Sequence, residues 1–177
     1  MQLSELLVYV AVSGVLLGGT ALLLQQGQRA YAIGAARVEV QQGVRLALER
    51  MTAEIRGAGF APNGGTFAAI AIAEPTRLVI QHDLNGDGVI RGAGETITYL
   101  LRGTTLRRDA GGGAQPLLNG VSELHFTYLD VARRPPATPD AIRSIVISIA
   151  ATPTHAPGPA NLGVVGKATT EVRLRNR

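Results

Sequence analysis

Residues 6–24 read LLVYVAVSGVLLGGTALLL, with Ser13 and Thr20 as the only polar side chains. A helix of about 20 apolar residues is long enough to cross a bilayer. The start of the chain has no basic residue, and its one charged side chain is Glu5. Because a secretory signal peptide usually has a basic start and a shorter apolar run, the pattern favours a membrane-spanning helix.

The helix signals continue beyond the apolar run. Gly57 and Gly59 supply a common signal for a helix end, and no proline occurs before Pro62. We therefore expect one helix from about residue 3 to residue 56, roughly 80 Å long at about 1.5 Å per residue. In its second half, apolar residues recur at helical spacing, namely Val40, Val44, Leu48, Met51 and Ile55. This amphipathic half requires a globular partner on one side.

Gly14, Gly18 and Gly19 lie within the apolar half of this helix. Each glycine costs about 1 kcal/mol relative to alanine in a helix interior. One interpretation is close packing between helices, in which Gly14 and Gly18 form a pair of small residues four positions apart. The other is a segment that unwinds when its surroundings change. The sequence favours neither interpretation over the other.

Beyond Gly57 the apolar period changes from helical to alternating. Leu124 and Phe126 alternate with His125 and Thr127, a pattern typical of a strand with one buried face. Further strands are predicted at residues 68–73, 77–82, 96–102, 105–108, 145–149 and 172–174. Short, turn-rich links predict a mostly antiparallel sheet.

These patterns together predict an α+β fold in the shape of a lollipop. Its parts are a transmembrane or filament-core helix at 1–28, an amphipathic continuation at 29–57, and a β-rich globular head at 58–177. Two segments rich in proline, glycine and alanine, residues 133–140 and 153–166, are expected to be long loops.

Residues 83–88 read DLNGDG, which matches the first half of a calcium-loop pattern. Calcium prefers several hard oxygen ligands about 2.4 Å away, and alternate residues of a tight loop can converge on it. Gly94 occupies the position expected for the closing acid, and Glu95 follows one residue later. The predicted ligands are Asp83, Asn85, Asp87, the carbonyl of Val89, and Glu95. The alternative is a hairpin connection, because Asn-Gly and Asp-Gly are strong turn formers.

The composition argues against several other classes. The chain has no cysteine, which excludes disulfides and zinc–thiolate sites. Its net charge of +4 is carried almost wholly by arginine, but no basic cluster is interleaved with aromatics, so nucleic-acid binding is not favoured. The three histidines are scattered, and the sequence has no metalloprotease, nucleophile-elbow or phosphate-loop motif. We therefore expect neither an enzyme nor a required cofactor.

The start of the chain resembles the mature N-terminus of type IV pilins and type II secretion pseudopilins. The family pattern has methionine or a hydrophobic residue first, glutamate fifth, and then an unbroken apolar helix. Met1, Glu5 and Leu6–Val12 match it here. Later stretches resemble PilW-like minor pilins, namely residues 44–60, 83–88 and 117–128. Ser4 departs from the usual Ile or Val, and Leu22 stands where many major pilins have proline; the latter favours a minor pilin or a pseudopilin.

The resemblance implies an assembly role for the two ends of this motif. Glu5 of one copy would meet the Met1 amine of a neighbouring copy, so both charges would be buried together. It also implies N-methylation of Met1, processing by a leader peptidase, and partners that are copies of this chain or other pilins. A basic leader removed after insertion is expected too, because the arginine-rich part would otherwise be assigned to the cytoplasm.

The expected location is the bacterial inner membrane before assembly and an extracellular or periplasmic filament afterwards, with the head outside the cytoplasm. A repeated major subunit and a rare minor subunit both agree with the motif. The alternatives are a type II secretion pseudopilin and a membrane-anchored binding module, including one that binds DNA. A simple anchor would tolerate Glu5→Ala, whereas a filament subunit would not.

Overall fold

The structure is a computed structural model that describes residues 3–154 and 165–176. Its elements in chain order are α1 (Leu3–Arg56), β1 (Ile70–Ala73), β2 (Arg77–Gln81), β3 (Thr96–Arg102), β4 (Thr105–Asp109), β5 (Gln115–Leu118), β6 (Val121–Leu129), a 3-10 turn (Pro139–Ala141), β7 (Ser144–Ala151) and β8 (Gly166–Arg173). One long helix is packed on antiparallel sheets, so the predicted α+β lollipop is confirmed.

Helix α1 runs without interruption for 54 residues. Its bounds agree with the helix predicted from residue 3 to residue 56. At about 1.5 Å per residue its length is roughly 80 Å. The apolar run and the amphipathic stripe are therefore parts of one rod.

The head contains two sheets among the described residues. The first has the order β1-β2-β3-β4-β5 and the second the order β6-β7-β8. Every strand pair is antiparallel, as predicted. The division into two sheets was not predicted, because alternation shows which face of a strand is buried but not which strand lies beside it.

Two strands differ from the predicted pattern. Strand β5 was missed because Pro116 argues against a strand, yet β5 lies at the edge of its sheet, where a proline is tolerated. Strand β8 begins at Gly166 instead of residue 172. Of the predicted loop 153–166, residues 155–164 lie outside the described part of the chain.

The core lies between the second half of α1 and the sheets. All five residues of the predicted apolar stripe are buried, and Ala47 joins them. Ile145, Ile147 and Ile149 of β7 are fully buried, which confirms the alternation read from that strand. Gly166 lets β8 approach the helix closely, because a Cβ at that position would lie 2.6 Å from Cγ1 of Val40.

The C-terminal segment closes the far end of α1. The side-chain Nδ2 of Asn176 donates to the carbonyls of Gly57 at 3.2 Å and Ala58 at 3.3 Å. The Arg175 amide donates to the Arg56 carbonyl at 3.4 Å. These bonds satisfy carbonyls that a helix end leaves without partners.

Candidate functional site

The first two-thirds of α1 has no contact that buries it. No described residue before Val40 is buried, and large apolar side chains are open, with Leu3 81% and Val15 76% exposed. The helix contains an 18-residue window of mean hydropathy 2.2, none of it buried. By length and composition it can cross a membrane.

The predicted assembly residues lie on this exposed segment or at its start. Glu5 lies in the first turn of α1, while Met1 lies outside the described residues. Gly14, Gly18 and Gly19 are in regular helix, and a Cβ added at any of them would meet no described atom within 4 Å beyond its chain neighbours and the adjacent helix backbone. The Glu5–Met1 pair and the flexibility of the glycine segment therefore remain predictions.

A polar contact joins the docked half of α1 to the first sheet. Glu54 accepts hydrogen bonds from Nε of Arg108 on β4 at 2.9 Å and from the Tyr99 hydroxyl on β3. It also pairs with Arg50 one turn earlier, at 3.0 Å. Tyr99 is fully buried, so its hydroxyl needs this partner.

The charges of this contact set the pKa values of its members. Burial alone would raise the pKa of Glu54, but hydrogen bonds from Arg108 and Tyr99 outweigh it and hold the pKa below its ordinary value of 4.5. Burial, with the Glu54 carboxylate next to it, raises the pKa of Tyr99 far above its ordinary value. Glu54 is therefore ionised, and Tyr99 neutral, at physiological pH.

We expect Glu54→Gln to destabilise the head by about 1–3 kcal/mol at neutral pH, because a charged acceptor of several hydrogen bonds is lost. The pKa of Glu54 is lower in the folded chain than in the unfolded one. Its stabilisation is therefore complete above 4.5 and is lost as the pH falls through the folded pKa. Below that pH, the difference in free energy of unfolding between wild type and Glu54→Gln should become smaller. Urea unfolding of the full chain in detergent would measure it. Glu49→Gln, which removes an exposed carboxylate paired with Arg45, is the control, and an equal effect of both variants would contradict the account.

The loop that connects β2 to β3 contains all of the predicted calcium ligands. Asp83 is fully buried, and its two carboxylate oxygens accept the amides of Gly86 at 2.7 Å and Gly88 at 2.9 Å. Both glycines have positive φ, 78° and 77°, which other residues adopt only with strain. Asp83 therefore fixes the turn through backbone amides.

Glu95 has the same role at the other end of the loop. It is 1% exposed, and its Oε2 accepts the amides of Arg91 at 3.0 Å and Gly92 at 2.5 Å. Its Oε1 accepts the amide of Leu84 at 3.3 Å. Nε2 of His82 lies 2.8 Å from the carbonyl of Gly94 and donates to it.

The loop geometry bears on the calcium hypothesis. Asn85 and Asp87 are on the outer side of the loop and bond to each other at 3.0 Å, while Val89 is 43% exposed. No group of three or more His, Cys, Asp or Glu within residues 3–154 and 165–176 is arranged to hold a metal ion. Asp83 and Glu95 already accept backbone amides, and a carboxylate has about four acceptor sites, so calcium would share these oxygens with the amide donors. Calcium binding stays a prediction, and the hairpin interpretation has direct geometric support.

In a buffer that contains a metal chelator, we expect Glu95→Gln to lower the melting temperature of the full chain by about 4 °C or more. The reason is that several buried amides lose a charged acceptor. Asp87→Asn should have little effect there, because an amide oxygen can still accept the Val89 amide. Equal melting temperatures for wild type and Glu95→Gln would contradict this role.

Adding calcium to the same samples tests the metal hypothesis. A calcium site predicts a higher melting temperature for wild type, and the increase should be smaller in Asp87→Asn, which replaces a charged predicted ligand with a neutral amide oxygen. A melting curve that calcium leaves unchanged would exclude the site.

Comparison with known proteins gives no assignment for this chain. No family model matches it, and no curated protein matches it. The functional proposal therefore depends on the geometry of the described residues and on the N-terminal motif.

Proposed function

We propose that this chain is a structural subunit of a type IV pilus or a related filament. Its N-terminal helix is held in the inner membrane before assembly and packs among neighbouring helices afterwards. The observation that carries the proposal is the unburied apolar surface of α1, which extends from Leu3 to Val38. A surface of that size in an isolated soluble chain would favour association or insertion.

A membrane alone accounts for only part of this surface. About 20 residues cross a bilayer, whereas α1 stays undocked for a further stretch between residues 25 and 39. That stretch is about 22 Å long and carries Tyr31, 79% exposed, and Val38, 52% exposed. Tyr31, Gly34, Ala35 and Val38 line one shallow groove. Helices of other copies would cover these side chains, and a single anchored chain has nothing to cover them.

The Glu5 motif supports the same proposal. A carboxylate next to a long apolar run is costly in a low-dielectric surrounding unless it is paired. In a filament, the Met1 amine of a neighbouring copy supplies the partner. Glu5 then acts as a register check, because a misplaced copy would leave both charges without their intended partners.

The similarity to PilW-like minor pilins favours a rare subunit over a repeated one. A type II secretion pseudopilin has the same N-terminal design and is the second candidate. A membrane-anchored binding module is the third, and the undocked stretch of α1 argues against it.

Mass spectrometry of filaments sheared from native cells tests the proposal. We expect the chain in the sheared fraction, with an N-terminal peptide that begins at a methylated Met1. Its share of the total protein then separates a major from a minor subunit. A methylated Met1 found only in the membrane would indicate a pseudopilin. An unmodified N-terminus restricted to the membrane would overturn the proposal in favour of an anchored module.

A further inference from the structure

Four arginines converge at the end of the head farthest from the apolar run. We call Arg56, Arg143, Arg173 and Arg175 the arginine cluster. Backbone contacts hold them together. Ser144, next to Arg143, pairs with Arg173 across β7 and β8. The Leu174 amide donates to the Arg143 carbonyl at 3.0 Å, and the Arg175 amide donates to the Arg56 carbonyl. Hydrogen-bonded backbone therefore fixes the positions of the four arginine Cα atoms relative to one another.

The cluster lines two recesses that share Glu171 and Arg173. Among the described residues, the recesses together contain five arginines, the fifth being Arg133, and two carboxylates, Asp130 and Glu171. The formal charge of these seven residues is +3. Arg133 binds Glu171 with both guanidinium NH groups, at 3.1 and 2.8 Å. The Glu171 carboxylate is thus already paired with Arg133, and it does not neutralise the arginine cluster.

Three guanidinium groups of the cluster have no acidic partner. Arg56, Arg173 and Arg175 are exposed, and no ion pair joins any of them to a carboxylate within the described ranges. The negative, C-terminal end of the α1 dipole favours a positive charge nearby. That effect accounts for one arginine and does not explain a group of three. A planar guanidinium group can bind two oxygens of one phosphate or carboxylate group with two parallel hydrogen bonds.

The position and lining of the recesses restrict the ligand. Arg56 lies about 48 Å along the helix from the end of the apolar run at residue 24, so lipid phosphates around that helix are out of reach. None of the described residues that line the two recesses is aromatic, so these residues do not offer stacking on bases or sugar rings. Two adjoining recesses suit an anion with repeated charges better than a single ion.

We propose that the arginine cluster binds the phosphate groups of a phosphodiester polymer. Nucleic-acid duplexes and glycerol-phosphate polymers both present this chemistry. Recognition is by charge and by the two free oxygens of each phosphate, with no selection of sequence. This site is independent of the filament proposal, because it uses the head and none of the exposed helix.

The test uses the full chain in detergent micelles and a fluorescent duplex of about 20 base pairs and mixed sequence, at about 50 to 200 mM salt. The variant is Arg173→Gln with Arg175→Gln. Neither arginine side chain makes a hydrogen bond or an ion pair with another described residue, so the melting temperature should stay unchanged. The matched control is Arg77→Gln with Arg102→Gln, which removes the same charge from exposed positions in the other sheet. Both pairs give the same net charge.

We expect the wild-type chain to bind the duplex and the cluster variant to bind it at least tenfold more weakly at low salt. The slope of log K against log salt should become flatter by about 2, one for each lost phosphate contact. The control pair should behave nearly as wild type. No binding by wild type, or equal losses in both pairs, would overturn the proposal.

Competition identifies the source of the phosphate. Displacement of the duplex by a glycerol-phosphate polymer supports a site for phosphodiesters in general, while failure of that polymer to compete assigns the site to nucleic acid. Polyglutamate of equal charge should compete poorly. Equal competition by polyglutamate would overturn the assignment to phosphate.

Discussion

Glu5→Ala should remove this chain from assembled filaments while its head remains folded. In the filament proposal, the variant leaves the amine of a neighbouring copy buried without its partner. Loss of one member of a buried ion pair costs about 3–5 kcal/mol, which is more than a hundredfold in an association constant. The measurement is the amount of chain in the sheared fraction relative to the amount in the membrane.

Glu49→Ala is the matched control for that experiment. It removes a carboxylate from the same helix, but Glu49 is exposed on the docked half and forms a surface pair with Arg45. Such surface pairs contribute about 0.3–0.5 kcal/mol. Normal recovery of Glu49→Ala with loss of Glu5→Ala is the expected result. Normal recovery of Glu5→Ala would contradict the assembly role of Glu5.

Met51→Asp should separate the docked half of α1 from the head. Met51 is 0% exposed and belongs to the cluster of buried apolar side chains that forms the core. A buried, unpaired charge is among the most destabilising single changes, and we expect a loss of at least about 4 kcal/mol. Chemical unfolding of the full chain in detergent would measure it, provided that the variant folds.

Leu46→Asp makes the same addition of charge on the opposite side of the same helix. Leu46 is 65% exposed, so its replacement should change the free energy of unfolding by no more than about 0.5 kcal/mol. If Met51→Asp fails to fold, recovery of folded Leu46→Asp still locates the effect on the buried face. Similar stabilities of the two variants would contradict the packing of α1 on the sheets.

The helix was predictable from sequence because its signals are local. The apolar run, the stripe from Val40 to Ile55, and the glycines after Arg56 each depend on residues a few positions apart. Strand positions such as Thr96–Arg102 were predictable for the same reason. The division into two sheets depends on pairings between distant segments. Alternation of apolar and polar residues along a strand does not specify those pairings.

The contact around Glu54 shows the same limit. Its pair with Arg50, at 3.0 Å, joins residues four positions apart on one helix, a spacing at which side chains meet. Tyr99 and Arg108 lie 45 and 54 residues away in the chain, and no local pattern connects them with the helix. Tyr99, the one aromatic residue of β3, was the available sign, because a buried hydroxyl needs a partner.

The candidate sites were predictable to different degrees. The motif at residues 83–88 correctly located a tight loop, but composition alone did not distinguish carboxylates that bind backbone amides from carboxylates that bind an ion. The arginine cluster was missed because Arg56 and Arg173 belong to elements that are more than a hundred residues apart. Its members meet only when β8 packs along α1.

Accessibility of Val15 in membrane-free filaments tests the central claim most directly. The chain has no cysteine, so Val15→Cys and, on the head, Val131→Cys each introduce a single thiol. Both residues are exposed in the isolated chain, at 76% and 82%. A hydrophilic maleimide applied to sheared filaments should label Val131→Cys readily and Val15→Cys only after the filament is denatured. Equal labelling of the two intact samples, or absence of the chain from the sheared fraction, would contradict burial of α1 among neighbouring copies.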